Sequence, residues 1–259
     1  MLAASAQQAV EFTENKGQWN SSVLFRGAIN NGAFFLQQNG FTVLLHNEND
    51  LQQLAEQIHG HAGEAQTNHN VSKRNAYPRP GQGNQPDTAG GMVLRSHAYT
   101  MRFAGADANA TVLSEKPVNS YENYFTGNDP AQWAANCKIF QAVTYKNIYP
   151  NIDVRYYAQG EQLKYDIIVY PGANINDIVM QYEGADKLQI KNRELYIKTS
   201  VGDVKELSPY SYQINDAGKT ELDCRYVIEG KDKVTFKVKQ YDPSQILVID
   251  PTLIFATFT

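Results

Sequence analysis

Apolar and polar positions alternate with a period of two along most of this chain, which is the period of half-buried strands. Val23-Leu24-Phe25, Ala33–Gln37 and Phe41–His46 form three short apolar runs separated by Asn30-Asn31-Gly32 and Asn39-Gly40. Asparagine–glycine pairs between such runs predict hairpins. The alternation resumes at Ala98, where Tyr99, Met101 and Phe103 interleave with Thr100 and Arg102. From residue 139 to 258 it becomes a nearly continuous meander.

Two segments depart from that period. Leu51, Leu54, Ala55 and Ile58 fall at i, i+3, i+4 and i+7, which predicts a helix over 49–59 with Asn49 or Asp50 as its cap and Gly60 as its end. In Asn128–Asn136, Asp129 suits a cap and Pro130 a first helical position, so one or two helical turns are expected, with Trp133 turned to the core. Between them, His61 to Gly91 is nearly devoid of apolar residues and dense in proline and glycine. It predicts a long exposed loop inside a polar excursion at about 47–95.

The stretch Tyr145–Asp166 sets a register by itself. With Gly160-Glu161 as a two-residue turn, Val154 pairs with Ile167, Tyr156 with Tyr165 and Arg155 with Asp166. Ile152, Val154 and Tyr156 then share one face with Tyr165, Ile167 and Val169, while Arg155, Lys164 and Asp166 fall on the other. Burial and charge pairing choose the same register. Leu188 and Ile190 are expected opposite Ile197 and Leu195 around Lys191–Glu194, and a further turn is expected at Asp216-Ala217-Gly218. A last hairpin is expected to join Val234–Lys239 to Ile246–Ile249 through Tyr241-Asp242-Pro243.

Composition agrees with a β-rich domain: the 259 residues include 16 tyrosines. The net charge of −4 argues against a nucleic-acid binder held by phosphate contacts. No apolar run reaches the roughly 20 residues a spanning helix needs. Ala-Ala-Ser-Ala-Gln near the start resembles the small-residue end of a secretory signal, so residues 1–10 read as a signal remnant or a disordered terminus. The apolar ending ILVIDPTLIFATFT suggests that 251–259 opens a following domain. Two cysteines, Cys137 and Cys224, permit a disulfide in a secreted chain. Cys224 shares a strand face with Leu222, Tyr226 and Ile228, and a buried unpaired thiol is the simpler reading.

Candidate chemistry is sparse. Asp153, Glu161 and Asp166 sit in one hairpin, and a glycosidase needs two carboxylates of different pKa at a set separation. Arg155 and Lys164 beside them favour a paired, solvated strand face instead. His59, His61 and His69 lack the spacing and companions of a metal site, and no cofactor motif is present. Aromatic residues concentrate at Tyr121, Tyr124, Phe125, Trp133, Tyr145, Tyr149 and Tyr157. Exposed rings among them, with Tyr121, Tyr124, Trp133, Tyr149 and Tyr157 as the candidates, could stack on sugars; packing is the competing use of aromatic strand residues.

Several segments together resemble one bacterial family. They are FTENKGQW (12–19), GAFFLQQNGF (32–41), HAYTMRFAGA (97–106), ENYFTGNDPAQW (122–133), VTYKNIYPNIDVRYY (143–157), LKYDIIVYPGA (163–173), YEGADKL (182–188), ELSPYSYQ (206–213) and LVIDPTLIFATFT (247–259). In that order they are similar to the N-terminal domain that precedes SBBP-type β-propeller repeats in large secreted or cell-surface proteins, common in Bacteroidetes. Asn151 departs from the family's glycine at that turn, although asparagine tolerates the left-handed region best after glycine. The resemblance implies an adhesin-like surface protein and carries over no catalytic residues.

The expectation is therefore a mainly β, antiparallel, sandwich-like core, or two packed β subdomains, over 11–250, with one short helix and a long polar loop. The expected role is a non-enzymatic structural or interaction module, without a cofactor, that presents or caps downstream repeats. Its partners would be downstream domains of the same chain, glycans or other surface proteins. A carbohydrate-binding module is the alternative and a glycan-active enzyme the third reading.

Overall fold

Three N-terminal strands form where the apolar runs predicted them, β2 (Val23–Ile29), β3 (Gly32–Gln37) and β4 (Gly40–His46), and a short strand, β1 (Phe12–Glu14), precedes them. In this computed structural model, residues 10–60, 93–160, 162–215 and 218–255 are described. Gly32 and Gly40 open strands because no side chain fits there: a Cβ would sit 1.8 Å from the Leu44 carbonyl oxygen and 2.0 Å from that of Met101. The helix α1 (Glu48–Gly60) follows. Its cap is Asn47, not Asn49 or Asp50; the Asn47 side chain accepts from the Asp50 amide at 3.2 Å. Asp50 is instead clamped by Arg95, whose guanidinium and amide both bond its carboxylate. Of the 47–95 excursion, residues 61–92 lie outside the described residues.

The chain then builds β5 (Ser96–Phe103), β6 (Thr111–Tyr124), β7 (Ala134–Tyr149), β8 (Ile152–Gln159) and β9 (Gln162–Val169). A single 3-10 turn at Pro130–Gln132 precedes β7, with Asp129 as its cap and Pro130 leading, as the sequence indicated. The β8–β9 hairpin has the register its charges and apolar residues prescribed, with Val154 opposite Ile167 and Arg155 opposite Asp166. Gly160 takes a φ of 62° at the turn, while Glu161 lies outside the described residues. Asn151 takes a φ of 58°, the left-handed conformation that asparagine tolerates best after glycine.

The remaining strands are β10 (Met180–Glu183), β11 (Lys187–Lys191), β12 (Glu194–Thr199), β13 (Gly202–Glu206), β14 (Tyr210–Asn215) and β15 (Gly218–Leu222), then β16 (Cys224–Glu229), β17 (Lys233–Val238), β18 (Ile246–Asp250) and β19 (Thr252–Ile254). The β11–β12 pairing puts Leu188 opposite Ile197 and Ile190 opposite Leu195, as expected. Asn215 pairs with Gly218, and the turn between them, 216–217, lies outside the described residues. The hairpin expected between Val234–Lys239 and Ile246–Ile249 does not form. β17 pairs with β16 and β10, whereas β18 lies between β14 and β9. Apolar alternation cannot say which partner a strand takes when every strand in a meander offers the same face.

The architecture is mainly β and antiparallel, but it is a nearly closed barrel-like sheet rather than a sandwich. β10 decides this. It pairs with β5 on one side and β17 on the other, so the N-terminal meander and the C-terminal strands share one hydrogen-bonded sheet. The circuit runs from β17 and β10 through β5, β4, β3, β2 and β1 to β7, β8 and β9. At Pro251 it forks: β18 carries β14 and β15, and β19 carries β13, β12 and β11. Thr252–Ile254 is an integral strand of this sheet, with Leu253 fully buried.

Inside this sheet sits a carboxylate. Glu206, at the end of β13, is wholly buried and accepts hydrogen bonds from Tyr182 (2.9 Å) on one oxygen and from Tyr165 (2.9 Å) and Tyr226 (3.3 Å) on the other. Tyr99, Tyr145 and Tyr156 complete a buried cluster of rings, and their hydroxyls have no protein partner. Tyr156 lies 5.7 Å from both Tyr145 and Tyr165, and Tyr99 stacks on Tyr182 at 6.3 Å. Burial pushes the Glu206 carboxyl above its ordinary value, against the pull of the three hydroxyls.

The folded chain thus holds a proton on Glu206 more tightly than the unfolded chain does. The stabilisation is complete below about 4.5, the ordinary glutamate value, and is lost as the pH rises through the raised folded value. Denaturant titrations from pH about 4.5 to neutrality are expected to show E206Q with a flatter stability profile than the parent, and at least equal stability at neutral pH. E206A, which strands three hydroxyls, is expected to lose at least about 2 kcal/mol at every pH. A Glu206→Gln profile parallel to the parent's would refute this account.

Candidate functional site

Asn15 builds an open groove from a short loop. Its side-chain amide donates to the carbonyls of Trp19 (3.4 Å), Asn20 (3.0 Å) and Val23 (2.8 Å), and its oxygen accepts from the amides of Gly17 and Trp19. One buried-edge amide thereby ties residues 15–23 into a fixed loop, a use of asparagine that needs only short-range bonds. The loop holds Trp19 over the start of β2. The resulting open groove measures about 730 Å³ and is lined by Glu14, Trp19, Val23, Phe25, Gln38 and Val112, among others.

The groove runs into the exposed arm formed by β6 and β7. Trp19 meets the Tyr124 ring edge-on at 5.0 Å, and the Arg26 guanidinium lies 6.0 Å from the Trp19 ring. The Tyr124 hydroxyl bonds the Glu122 carboxylate, which also accepts from Thr13 at 3.1 Å. Burial, together with Glu122, pushes the Tyr124 phenol up to about 12. Farther out, Phe125 and Trp133 meet edge-on at 5.9 Å, and both are exposed, as is Tyr121. Trp133 does not turn to the core as expected. The capped turn at Pro130–Gln132 is too short to fold back, and it leaves the indole 43% exposed with its N–H toward the Gly127 carbonyl.

The five aromatic candidates therefore separate. Tyr121, Tyr124 and Trp133 belong to the arm. Tyr149 does not present a ring: it is buried, and its hydroxyl donates to the Ala104 carbonyl at 2.8 Å, because the β7 bulge turns it inward. Tyr157 lies apart on the outer face of β8 and donates to Asp166 at 3.1 Å, with Arg155 over its ring at 5.0 Å. The pattern near the Trp19 groove was legible only as the motif FTENKGQW; nothing in residue spacing placed it beside Tyr124.

The hairpin carboxylates do not share one solvated face. Asp153 is buried, accepting from Lys146, from the Asn147 amide (2.8 Å) and from Tyr170 (3.0 Å), and so it fixes the bulge between Tyr145 and Tyr149. Asp166 instead faces Asp250 across the sheet, a neighbour that sequence reading missed because β18 arrives from elsewhere in the chain. Burial first, and Asp250 second, raise Asp166 to about 6. Lys164 neutralises Asp250 at 2.7 Å. Cys137 and Cys224 are both buried free thiols, and burial pushes Cys224 up to about 12, which suits an inert thiol. Of the histidines, His61 and His69 lie outside the described residues, and only the backbone of His59, within α1, is described. No group of three or more metal-ligating side chains occurs among the described residues. No described helix is long and apolar enough to cross a membrane.

Replacing Asn15 with alanine is expected to loosen the groove. The loss of its bonds should cost about 2 kcal/mol, with a melting temperature lower by about 4–8 °C and a red-shifted Trp19 emission. Unchanged stability and emission would show that the loop is held by something else.

Neither the curated proteins nor the solved structures contain a match to this chain. A family model does match, over residues 12–252, so the strands from β1 into β19, the Trp19 groove and the Glu206 core all fall within it. The chain belongs to the DUF7948 family, a domain of unknown function.

Proposed function

We propose that this domain is a non-enzymatic interaction module of a larger secreted or cell-surface protein, where it presents or caps downstream repeats. The Trp19 groove and the β6–β7 arm form its contact surface. The observation that carries this reading is a groove of about 730 Å³ with Trp19 and Phe25 in its walls, in which the side chains of Asn15, Gln38 and Glu14 are bonded to the protein's own backbone. Asn15 holds its own loop, Gln38 donates to the Ala110 carbonyl at 2.7 Å, and Glu14 accepts from the Lys138 amide at 2.8 Å. A catalytic site needs titratable groups free to exchange protons with a substrate. Groups already committed to the fold serve better to hold rings and apolar walls in place for a partner. The resemblance of the sequence to domains that precede SBBP-type repeats supports the reading of a surface context, with downstream domains of the same chain or other surface proteins as the proposed partners.

The second reading, a carbohydrate-binding module, is favoured by one observation. Trp19 and Tyr124 meet edge-on above an open groove, and Phe125 and Trp133 repeat that pairing farther along the arm. Rings in such positions can stack on the apolar faces of sugars. The enzyme reading would rest on Asp166 and Asp250, of which Tyr157 bonds the first and Lys164 one oxygen of the second, while the other Asp250 oxygen is buried with no partner among the described residues.

Two measurements separate these readings. For the structural role, the domain joined to its downstream repeats should melt several degrees above the domain alone, by mass action of an intramolecular contact; equal melting temperatures would sink the capping reading. For the glycan role, array binding should vanish in W19A and Y124A with the fold retained by circular dichroism. An array silent for the parent chain removes the carbohydrate reading and leaves the protein-contact reading standing.

A further inference from the structure

The barrel-like sheet fails to close at one seam. β11 and β16 come alongside each other, yet they share no registered pairing. The seam is closed at one end by Arg193, in the β11–β12 turn. Its guanidinium bonds Asp223 and reaches the Cys224 carbonyl at 3.0 Å. Asn192 and Arg193 both take positive φ, 53° and 69°, to make that turn. Away from this clamp the seam opens into a groove of about 420 Å³, floored by Ile190, Tyr226, Val227 and Ile228 and flanked by Arg193 and Arg225.

Among the described residues, no strand pairs with the edge of β16 that faces this seam. The Lys239 amide bonds the Asp223 carbonyl at 2.9 Å, which fixes the Asp223 backbone on the β17 side. Backbone groups alternate edges along a strand, so those of Cys224, Tyr226 and Ile228 face the seam. The Arg193 bond to the Cys224 carbonyl agrees. Tyr226 is anchored from inside by Glu206 and by the Leu207 carbonyl at 3.1 Å, so this edge is held rigid.

The charge around the seam runs against that of the molecule. The chain carries −4 overall, yet Lys187, Lys191, Arg225 and Lys237 are exposed here and form no ion pair among the described residues. Asp223, at the clamped end, is shared between Arg193 and Lys239. We propose that this seam takes an extended acidic peptide strand, which pairs with the β16 edge through the backbone of Tyr226 and Ile228 and sets its carboxylates against Lys191 and Arg225. Main-chain bonds to an open edge supply affinity, the apolar floor receives alternate side chains, and the basic rim selects for acidic ones. This surface is separate from the Trp19 groove and does not depend on its reading.

The test is selection of a phage-displayed library of random linear peptides on the folded chain, followed by binding of the enriched peptides to two variants. Ile228→Pro removes an amide that faces the seam and leaves the β16–β17 bonds intact; the pair Lys191→Glu with Arg225→Glu reverses the rim. Enrichment of acidic sequences with alternating apolar residues, bound at least about tenfold more weakly by both variants and more weakly in high salt, is the expected result. Should Ile228→Pro misfold, the rim variant alone decides the outcome. The proposal is overturned if no acidic enrichment occurs, if the enriched peptides bind the rim variant as tightly as the parent, or if light scattering shows a dimer of this chain that the same variants disperse.

Discussion

The structure turns on the burial of one carboxylate. Glu206 lies at the end of β13, and the three hydroxyls it receives come from β9, β10 and β16, strands that belong to different stretches of the meander. A buried carboxyl is costly unless it is bonded or protonated, so these tyrosines must arrive together for the core to close. Their rings supply much of the apolar filling while their hydroxyls supply the bonds. Tyrosine does both at once, and this gives the high tyrosine content of the chain a physical use.

That constraint reaches the surface in two directions. Through Tyr226 it holds β16 in place even though no strand among the described residues pairs with its outer edge, and so it keeps the seam with β11 defined. Through Tyr182 it holds β10 as the bridge between β5 and β17, which turns two sheets into one. The Trp19 groove depends on neither. It is built locally by Asn15 and set against the β6–β7 arm by β1, which pairs with both β2 and β7. The arm leaves its large rings Tyr121, Phe125 and Trp133 exposed, and the proposed recognition role rests on that surface.

Local pairing was legible because two-residue turns and alternating burial leave one register open. The β8–β9 and β11–β12 hairpins follow from their own residues, and so do the three N-terminal strands. The Cys224 thiol was legible too, from the face it shares with Tyr226. What failed was partner choice at a distance. Val234 and Ile246 looked like neighbours in sequence, but β17 found β10 and β18 found β9, because inward-facing apolar strands are interchangeable until the whole circuit closes. Asp153 looked solvated because its strand face carried charges; the β7 bulge, tied down by its own carboxylate, covers it.

The sequence by itself determined the class of structure, the positions of most strands and turns, and the helix after β4, since each depends on period and on turn chemistry within a few residues. Only the tertiary structure decided that the sheet curls into a barrel-like circuit, that Trp19 meets Tyr124, that Asp166 faces Asp250 and that Glu206 is enclosed by tyrosines. Trp19 and Tyr124 lie 105 positions apart in the chain (124 − 19) and Asp166 and Asp250 lie 84 apart (250 − 166), while Glu206 lies 41, 24 and 20 positions from Tyr165, Tyr182 and Tyr226. In every case the contact depends on which strand edge meets which, a choice made by closing the core as a whole and written in no single segment.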